Sequence, residues 1–246
     1  MPLRMWYILP AKMLFRGVKM ASFSNFKGEN EKYTFEDLYN ILLCLRAPDG
    51  CPWDRVQTHY SLIKPMIEEA YEAVDAIKRD DTANMVEELG DVLLQVIFHS
   101  IIGAEEGRFT FEDVVDRCAR KMVSRHSHVF GDVVANDASS ALENWEKMKK
   151  KEHSNQDLSG ALSDIPKSFP SLLKAGKVAK KLRQYGAETP EITVDPQDEE
   201  KAKLCKAGKE LFNITKRLEA EGVNAEEALS FYADEIIRKE AEKNEA

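Results

Sequence analysis

The segment from Thr82 to Glu106 constrains the fold most, because it predicts a long helix that is apolar on nearly every side. Asp81 supplies a predicted N-cap before it, and Gly107 ends it. Its apolar residues fall on two sides of the helix, Leu94, Phe98, Ile101 and Ile102 on one and Leu89, Leu93, Val96 and Ile97 on the other. A helix of this kind is buried by its neighbours, so we expect other helices to pack around it.

Further helix signals lie on both sides of this segment. Start signals predict helices from about Thr34, from about Ser61 to Arg79, and from Thr110 to about His126. Only 12 Gly and 9 Pro occur among 246 residues, which favours helix over an all-β sandwich. Four helices joined by short turns predict an all-α fold organised as a helical bundle.

The net charge and the cysteine pattern exclude several function classes. With 35 Lys and Arg against 43 Asp and Glu, the formal net charge is −8, which argues against a partner that is nucleic acid. The four cysteines form no C-x-x-C pair, and a reducing compartment is the simpler interpretation. No apolar run approaches the roughly 20 residues that span a bilayer. We therefore expect a cytoplasmic protein without a membrane partner.

Changes in composition divide the chain into four predicted segments. Residues 1–32 form a basic N-terminal extension that we expect to be disordered, and 33–153 form the first helical domain. A linker over 154–166 precedes a second helical region over 167–246. Residues 1–28 contain five basic side chains and no acidic one. Three interpretations of these residues remain open, namely a targeting arm, a surface-binding arm, or translation from a start codon upstream of the real one.

The second helical region repeats part of the first. Residues 207–212 resemble 89–94, and each stretch is followed by a Glu-Gly pair and an acidic helix start. Lys209 stands where the first copy has Asp91, and no Glu-rich segment precedes the second copy. We therefore expect a shortened, degenerate second copy, with any chemistry confined to the first.

Two acidic pairs suggest a metal site. Glu69 and Glu72 lie three residues apart on one predicted helix, as do Glu88 and Asp91 on the next, so each pair shares a helix face. If the helices pack antiparallel, the four carboxylates converge. Such oxygen donors suit Mg²⁺ or Mn²⁺, and their mutual repulsion requires a cation. A solvated acidic helix surface is the alternative interpretation.

Two cations on the fourth helix complement this cluster. Lys121 and Arg125 lie one turn apart, where they could hold phosphate oxygens while a metal ion bridges the same group. A basic helix end that only complements the helix dipole is the alternative. The combination of four carboxylates and two cations indicates phosphoryl chemistry more specifically than either feature alone.

Several of these motifs together resemble the MazG nucleoside triphosphate pyrophosphohydrolase family, over roughly residues 33–152. The resemblance rests on five stretches, which are Gly50-Cys51-Pro52-Trp53-Asp54 continuing to Gln57-Thr58-His59, E-E-x-x-E at 68–72, E-x-x-D at 88–91, Lys121 through Arg125 to Gly131, and Asn144-Trp145-Glu146. It implies an all-α fold and Mg²⁺-dependent hydrolysis of a nucleoside triphosphate between its α and β phosphates. The products are the nucleoside monophosphate and pyrophosphate.

The resemblance also assigns roles to individual residues. It implies that Mg²⁺, or Mn²⁺ in its place, is held by Glu69, Glu72, Glu88 and Asp91, and that Glu68 supports the cluster or acts with Glu69 as a catalytic base. The implied substrate-binding residues are Lys121 and Arg125 at the phosphates and Trp53, His59 and Trp145 around the base and sugar. A homodimer or higher homo-oligomer is also expected.

Other classes of function are less consistent with the sequence. A di-iron bundle uses Glu-x-x-His motifs and a nucleotide-binding P-loop uses G-x-x-x-x-G-K-[ST], and neither motif occurs. The main rival is a catalytically weak nucleotide-binding protein that acts as a regulator or scaffold. The degenerate second copy and the basic N-terminal arm favour that alternative.

Overall fold

A computed structural model describes residues 32–152, 156–195 and 197–245, which form helices and no strand. The predicted all-α fold is therefore confirmed over the described part of the chain. Helices α1 to α6 span Phe35–Arg46, Pro52–Arg55, Ile63–Lys78, Thr82–Glu105, Phe111–Arg125 and Ser127–Phe130. Helices α7 to α11 span Ala138–Glu152, Leu158–Ser163, Ser171–Gln184, Glu199–Ala220 and Ala225–Glu245.

The chain divides into two compact units, one ending at Trp145 and the other beginning at Glu146. This boundary precedes the predicted one at residue 153. The predicted linker over 154–166 also needs correction, because residues 158–163 form α8, whose N-terminus is capped by Asp157, and α8 packs against α9. Most of the predicted extension over 1–32 lies outside the described residues.

Local capping interactions fix where the helices of the first unit begin. Thr34 accepts a hydrogen bond from the backbone N–H of Asp37, whose carboxylate accepts one from the backbone of Thr34. Thr110 and Asp113 form the same reciprocal capping box at the start of α5. These boxes satisfy backbone donors that a helix N-terminus would otherwise leave unpaired. The sequence signals at both positions are confirmed.

The core of the first unit forms where α1 packs against the C-terminal half of α4. Seven buried side chains make up this cluster, Leu42, Leu43, Leu62, Ile97, Phe98, Ile101 and Ile102. The expectation that α4 is buried along its length is wrong for its N-terminal half in the single chain. Val86 and Leu89 are 70% and 51% exposed.

A buried arginine joins three parts of this unit. Arg46 is 8% exposed, and its guanidinium donates to both carboxylate oxygens of Glu105 at 2.9 and 2.5 Å. It also donates to the carbonyl oxygens of Asp54 and Gln57, at 2.6 and 3.2 Å. The end of α1, the α2 segment and the end of α4 are thereby held together by one side chain.

The second unit is built around α9, which contacts α8, α10 and α11. Arg183 on α9 donates to both carboxylate oxygens of Glu219 on α10, at 3.1 and 2.7 Å. The residue before α9 makes no side-chain capping hydrogen bond at its N-terminus. Instead, the Glu226 carboxylate on α11 accepts a hydrogen bond from the backbone N–H of Leu173 in the first turn of α9, at 3.2 Å. Three helices are therefore fixed to one another by polar contacts as well as by packing.

The two units share a pattern of helix ends. In the first, α3 is followed by a left-handed residue, Asp80, and α4 by left-handed Gly107. In the second, α9 and α10 are followed by left-handed Gly186 and Gly222. The connection from α3 to α4 is three residues long, whereas a longer segment joins α9 to α10. The pattern is consistent with the predicted duplication, which stays a prediction.

Replacing Arg46 with alanine is expected to lower the free energy of unfolding of the first unit by about 3 kcal/mol, because Glu105 and two carbonyl oxygens lose a buried donor. The matched control is Arg108→Ala, which removes an exposed ion pair with Glu106 and should cost less than about 1 kcal/mol. Urea denaturation followed by circular dichroism measures both. Equal losses in the two variants would contradict the central role of Arg46.

Candidate functional site

Helices α3 and α4 form an antiparallel hairpin, and its turn determines which side chains face each other. Asp80 adopts φ 54°, a left-handed conformation that Asp tolerates better than most residues. Glu72 lies eight residues before Asp80 and Glu88 eight after it, while Glu69 and Asp91 lie eleven before and eleven after. The two acidic pairs therefore lie at matching heights on facing helices.

Three of these carboxylates meet closely. Glu69, Glu88 and Asp91 each place one carboxylate oxygen within 4.8 Å of the other two. Glu88 is buried, and the other two are half-buried. Within the described ranges no other group of three or more acidic, His or Cys side chains is gathered in this way.

Glu72 and Glu68 lie at the edge of this cluster. Glu72 is exposed and falls outside the group of three, although its charge acts on both Glu69 and Glu88. The Glu68 carboxylate is half exposed and pairs with Lys64 at 3.2 Å, one turn earlier on α3. The structure therefore brings together three of the four predicted metal ligands, with the fourth beside them.

The cluster concentrates negative charge. Desolvation and then the charges of Asp91, Glu72 and Glu68 raise the pKa of Glu69 above its usual value. Desolvation, followed by the charges of Glu72 and Asp91, likewise raises the pKa of Glu88. No Lys, Arg or His of the described residues forms an ion pair with any of the four predicted ligands. Several hard oxygen donors without a counter-charge suit a divalent cation.

Asn84 connects the carboxylate cluster to the guanidinium group of Arg79 through two hydrogen bonds. With its amide turned so that both ends find partners, the Asn84 nitrogen donates to Glu88 at 3.3 Å and its oxygen accepts from Arg79 at 3.1 Å. Asn84 lies one helical turn before Glu88 and is itself held by Asp81 at the N-cap. Sequence reasoning missed this residue, since asparagine in the first turn of a helix is an ordinary capping signal.

A second group of predicted residues gathers at the end of α5. The Arg125 guanidinium carbon lies 5.1 Å from the centre of the Trp145 ring, a cation–π contact. The ring of His126 meets the same indole edge-on at 5.0 Å. Lys121 is exposed on the same helix. No contact links this group to the carboxylate cluster in the described part of the chain.

His126 was not assigned a role from the sequence, and its geometry is specific. Its Nδ1 atom lies 2.6 Å from the carbonyl oxygen of Met122. Because a carbonyl oxygen only accepts, Nδ1 carries a hydrogen and donates. In the neutral ring Nε2 is then an acceptor. His126 follows Met122 by four residues at the end of a helix, and this spacing could have suggested the contact between them.

Trp53 and His59, the other predicted substrate residues, lie elsewhere in the first unit. Trp53 is 60% exposed on α2. The Nδ1 atom of His59 lies 2.7 Å from Nδ1 of His99, and its ring lies 5.8 Å from that of Phe109. His99 follows Asp91 by eight residues, about 12 Å along the helix axis. The contacts of His59 therefore do not include the acidic cluster.

Residues 57–130 match the family model of the MazG nucleotide pyrophosphohydrolase domain. The matched range contains the acidic hairpin, α5 and α6. A nucleoside triphosphate pyrophosphohydrolase/pyrophosphatase MazG of Thermotoga maritima is 40% identical over 175 residues, which is 70% of this chain and 67% of that protein. The chain belongs to the MazG family, as the sequence motifs predict.

Two other relatives extend the comparison. A nucleoside triphosphate pyrophosphohydrolase of Escherichia coli K12 is 41% identical over 150 residues, 61% of this chain and 57% of the relative. The uncharacterized protein YabN of Bacillus subtilis is 49% identical over 148 residues, 60% of this chain and 30% of the relative. The aligned part of this chain thus covers less than two thirds of these two relatives.

The pair formed by His59 and His99 predicts a pH dependence of stability. Burial, and then the charge of His59, lower the pKa of His99. Below a pH of about 6.5 the unfolded chain binds more protons at this position than the folded one, so stability should fall as the pH falls. Thermal unfolding between about pH 7.5 and 5.5 measures the slope, which His99→Gln should reduce. An unchanged slope in the variant would contradict this assignment.

Proposed function

We propose that this chain hydrolyses nucleoside triphosphates between the α and β phosphates, in a reaction that depends on Mg²⁺. The observation that carries the proposal is the meeting of the Glu69, Glu88 and Asp91 carboxylates without a counter-charge. Family membership supports it, because relatives that share this segment are named nucleoside triphosphate pyrophosphohydrolases. Removal of non-standard or excess nucleotides in the cytoplasm would be the corresponding role.

Glu69, Glu88 and Asp91 would hold the ion, with Glu72 as a further carboxylate at the edge of the cluster. When bound, Mg²⁺ supplies positive charge to the phosphate oxygens and to the leaving pyrophosphate. Mn²⁺ prefers similar ligands and is expected to substitute. Both ions match the hard oxygen donors present.

The chain's own side chains would position the reactants and move the proton. Water attacks the α-phosphorus, its oxygen forms the new P–O bond, and the bond from that phosphorus to the α,β-bridging oxygen breaks. Glu68, or a carboxylate oxygen of Glu69 that does not hold the ion, would accept the proton of the attacking water. Lys121 and Arg125 would neutralise charge on the triphosphate.

The aromatic residues would bind the rest of the nucleotide. Trp145 is already in contact with Arg125 and offers an indole face or edge to a base. Trp53 is exposed and available for stacking. Stacking tolerates different bases and is compatible with a broad substrate range. Of the predicted contacts, His59 has the least support, because its ring nitrogen already pairs with His99.

The activity is tested by measuring pyrophosphate release from a panel of ribo- and deoxyribonucleoside triphosphates, with Mg²⁺ and with EDTA. Glu69→Gln should lower kcat/KM by at least about 100-fold, equivalent to about 2.7 kcal/mol of transition-state stabilisation. Glu87→Gln is the matched control, since Glu87 is exposed beside the cluster and has no proposed role. Full activity in Glu69→Gln, or in EDTA, would refute the assignment.

A second candidate function is a nucleotide-binding regulator or scaffold with little turnover. It is favoured by the second unit, where the predicted repeat puts Lys209 at the position of Asp91 and the described residues gather no acidic cluster. The same panel separates the two functions. Saturable nucleotide binding without release of pyrophosphate, together with a stable protein partner, would favour the regulator.

We also propose that the chain forms a homodimer or higher homo-oligomer. Apolar side chains that are at least a third exposed run along both helices of the hairpin, Ile63, Met66, Ile67, Val74 and Ile77 on α3 and Val86, Leu89 and Leu93 on α4. Contiguous apolar surface of this kind marks an interface in soluble proteins. An identical hairpin is a self-complementary partner for it.

The oligomer is tested by sedimentation velocity. Ile67→Lys places a charge within the apolar surface and should convert the oligomer to monomer at the same protein concentration. Val56→Lys is the control, because Val56 is 70% exposed but lies outside the hairpin. A monomeric wild type, or an unchanged assembly in Ile67→Lys, would overturn the proposal.

A further inference from the structure

A cleft in the second unit is lined by lysines from two helices. It encloses about 240 Å³, and Lys149 of α7 and Lys177 and Lys181 of α9 line it. Lys177 and Lys181 are four residues apart, so their side chains leave the same face of α9. Positive charge is thus concentrated at one place in a chain whose formal net charge is −8.

The lysines of α9 differ in their partners. Lys180 pairs with Glu146 at 3.0 Å, and the Lys174 ammonium donates to the carbonyl oxygen of Lys167 at 2.7 Å. Within the described residues, neither Lys177 nor Lys181 forms an ion pair or a side-chain hydrogen bond. The two lysines of α9 that face the cleft are therefore the two whose ammonium groups have no hydrogen-bond or ion-pair partner among the described residues.

Gln156 and Asp164 also line the cleft, which therefore contains one carboxylate. The Gln156 amide donates to Asp164 at 2.7 Å, and the carbonyl oxygen of Gln156 accepts from the Tyr185 hydroxyl at 3.0 Å. Asp164 lies beyond ion-pair distance of the lysines in the cleft. The ammonium groups of Lys177 and Lys181 against one carboxylate leave a net positive lining.

The rest of the lining is apolar. Ile165, Pro166 and Phe169 line the cleft together with the buried side chain of Ala161. Apolar walls exclude water and strengthen the attraction between an ammonium group and an anion. A volume of about 240 Å³ is below the 300 to 1,000 Å³ usual for drug-sized ligands, so the cleft suits a small group.

We propose that this cleft binds a small phosphate-bearing anion through Lys177 and Lys181. Lysine ammonium groups bind phosphate as point charges without requiring a fixed bidentate geometry. A bound dianion would also relieve the repulsion between two lysines one turn apart. The proposed site lies in the second unit, among residues that take no part in the reaction proposed for the first.

The test is calorimetric titration of the full chain in EDTA with inorganic pyrophosphate, AMP and adenosine. EDTA removes the metal ion that the carboxylate cluster would need, so binding that persists does not depend on that cluster. Lys177→Gln with Lys181→Gln should weaken pyrophosphate binding by at least about tenfold. Replacing the same two lysines with arginine keeps the charge and should leave binding within about threefold of wild type.

The matched control removes Lys206 and Lys209, two exposed lysines of α10 in the same unit. Equal weakening in both glutamine pairs would mean general charge attraction and would overturn the proposal. Absence of saturable pyrophosphate and AMP binding up to about 10 mM would also overturn it. So would adenosine binding as tightly as AMP, because the phosphate would then contribute nothing.

The two phosphate probes distinguish the source of the anion. Tighter binding of AMP would mean that the phosphate belongs to a nucleotide whose base contacts the apolar wall. Tighter binding of pyrophosphate would mean an inorganic anion. Unchanged thermal unfolding of the variants without ligand would show that the loss of binding is not a loss of fold.

Discussion

The first unit depends on the burial of one charged side chain. In place of water, the Arg46 guanidinium contacts two carboxylate oxygens of Glu105 and the carbonyl oxygens of Asp54 and Gln57. It also lies over the face of the Phe98 ring, 5.9 Å from its centre. A buried charge is tolerated only when it is paired and hydrogen-bonded this completely. The Cys-Pro-Trp-Asp segment is consequently held against the core by its backbone, and α3 begins eight residues after its α2 helix ends.

Packing and charge are divided between the two ends of α4. Its C-terminal half buries Ile97, Phe98 and Ile101 in the core, and its N-terminal half holds Glu88 and Asp91 against the carboxylate of α3. The apolar contacts at one end must offset the repulsion at the other, since both belong to one rigid helix. This arrangement keeps like charges close together without a separate scaffold.

Sequence reasoning worked where the determining interactions are local. The capping boxes at Thr34 and Thr110 and the matching heights of the two acidic pairs depend on spacing within a few turns. It could not identify contacts between distant residues, such as that of His59 with His99, which lies forty positions away. Helix α8 was missed because the polar residues before it resemble a linker, although Asp157 is also an N-cap. The exposure of the N-terminal half of α4 could not be predicted, because the spacing of apolar residues along a helix does not show which of its sides another helix covers.

The turn around Asp80 has a consequence for how the hairpin tolerates change in length. Each residue in a helix advances the chain by about 1.5 Å and rotates it by about 100°. The residues from Arg79 to Asp81 lie outside both helices, and one residue added there would alter the rise and rotation at which α4 begins, so that Glu88 and Asp91 would no longer be held opposite Glu69. Loops usually accept insertions, but this one sets the phase between two helices. Its length is as much a determinant of the carboxylate cluster as the identity of the acidic residues themselves.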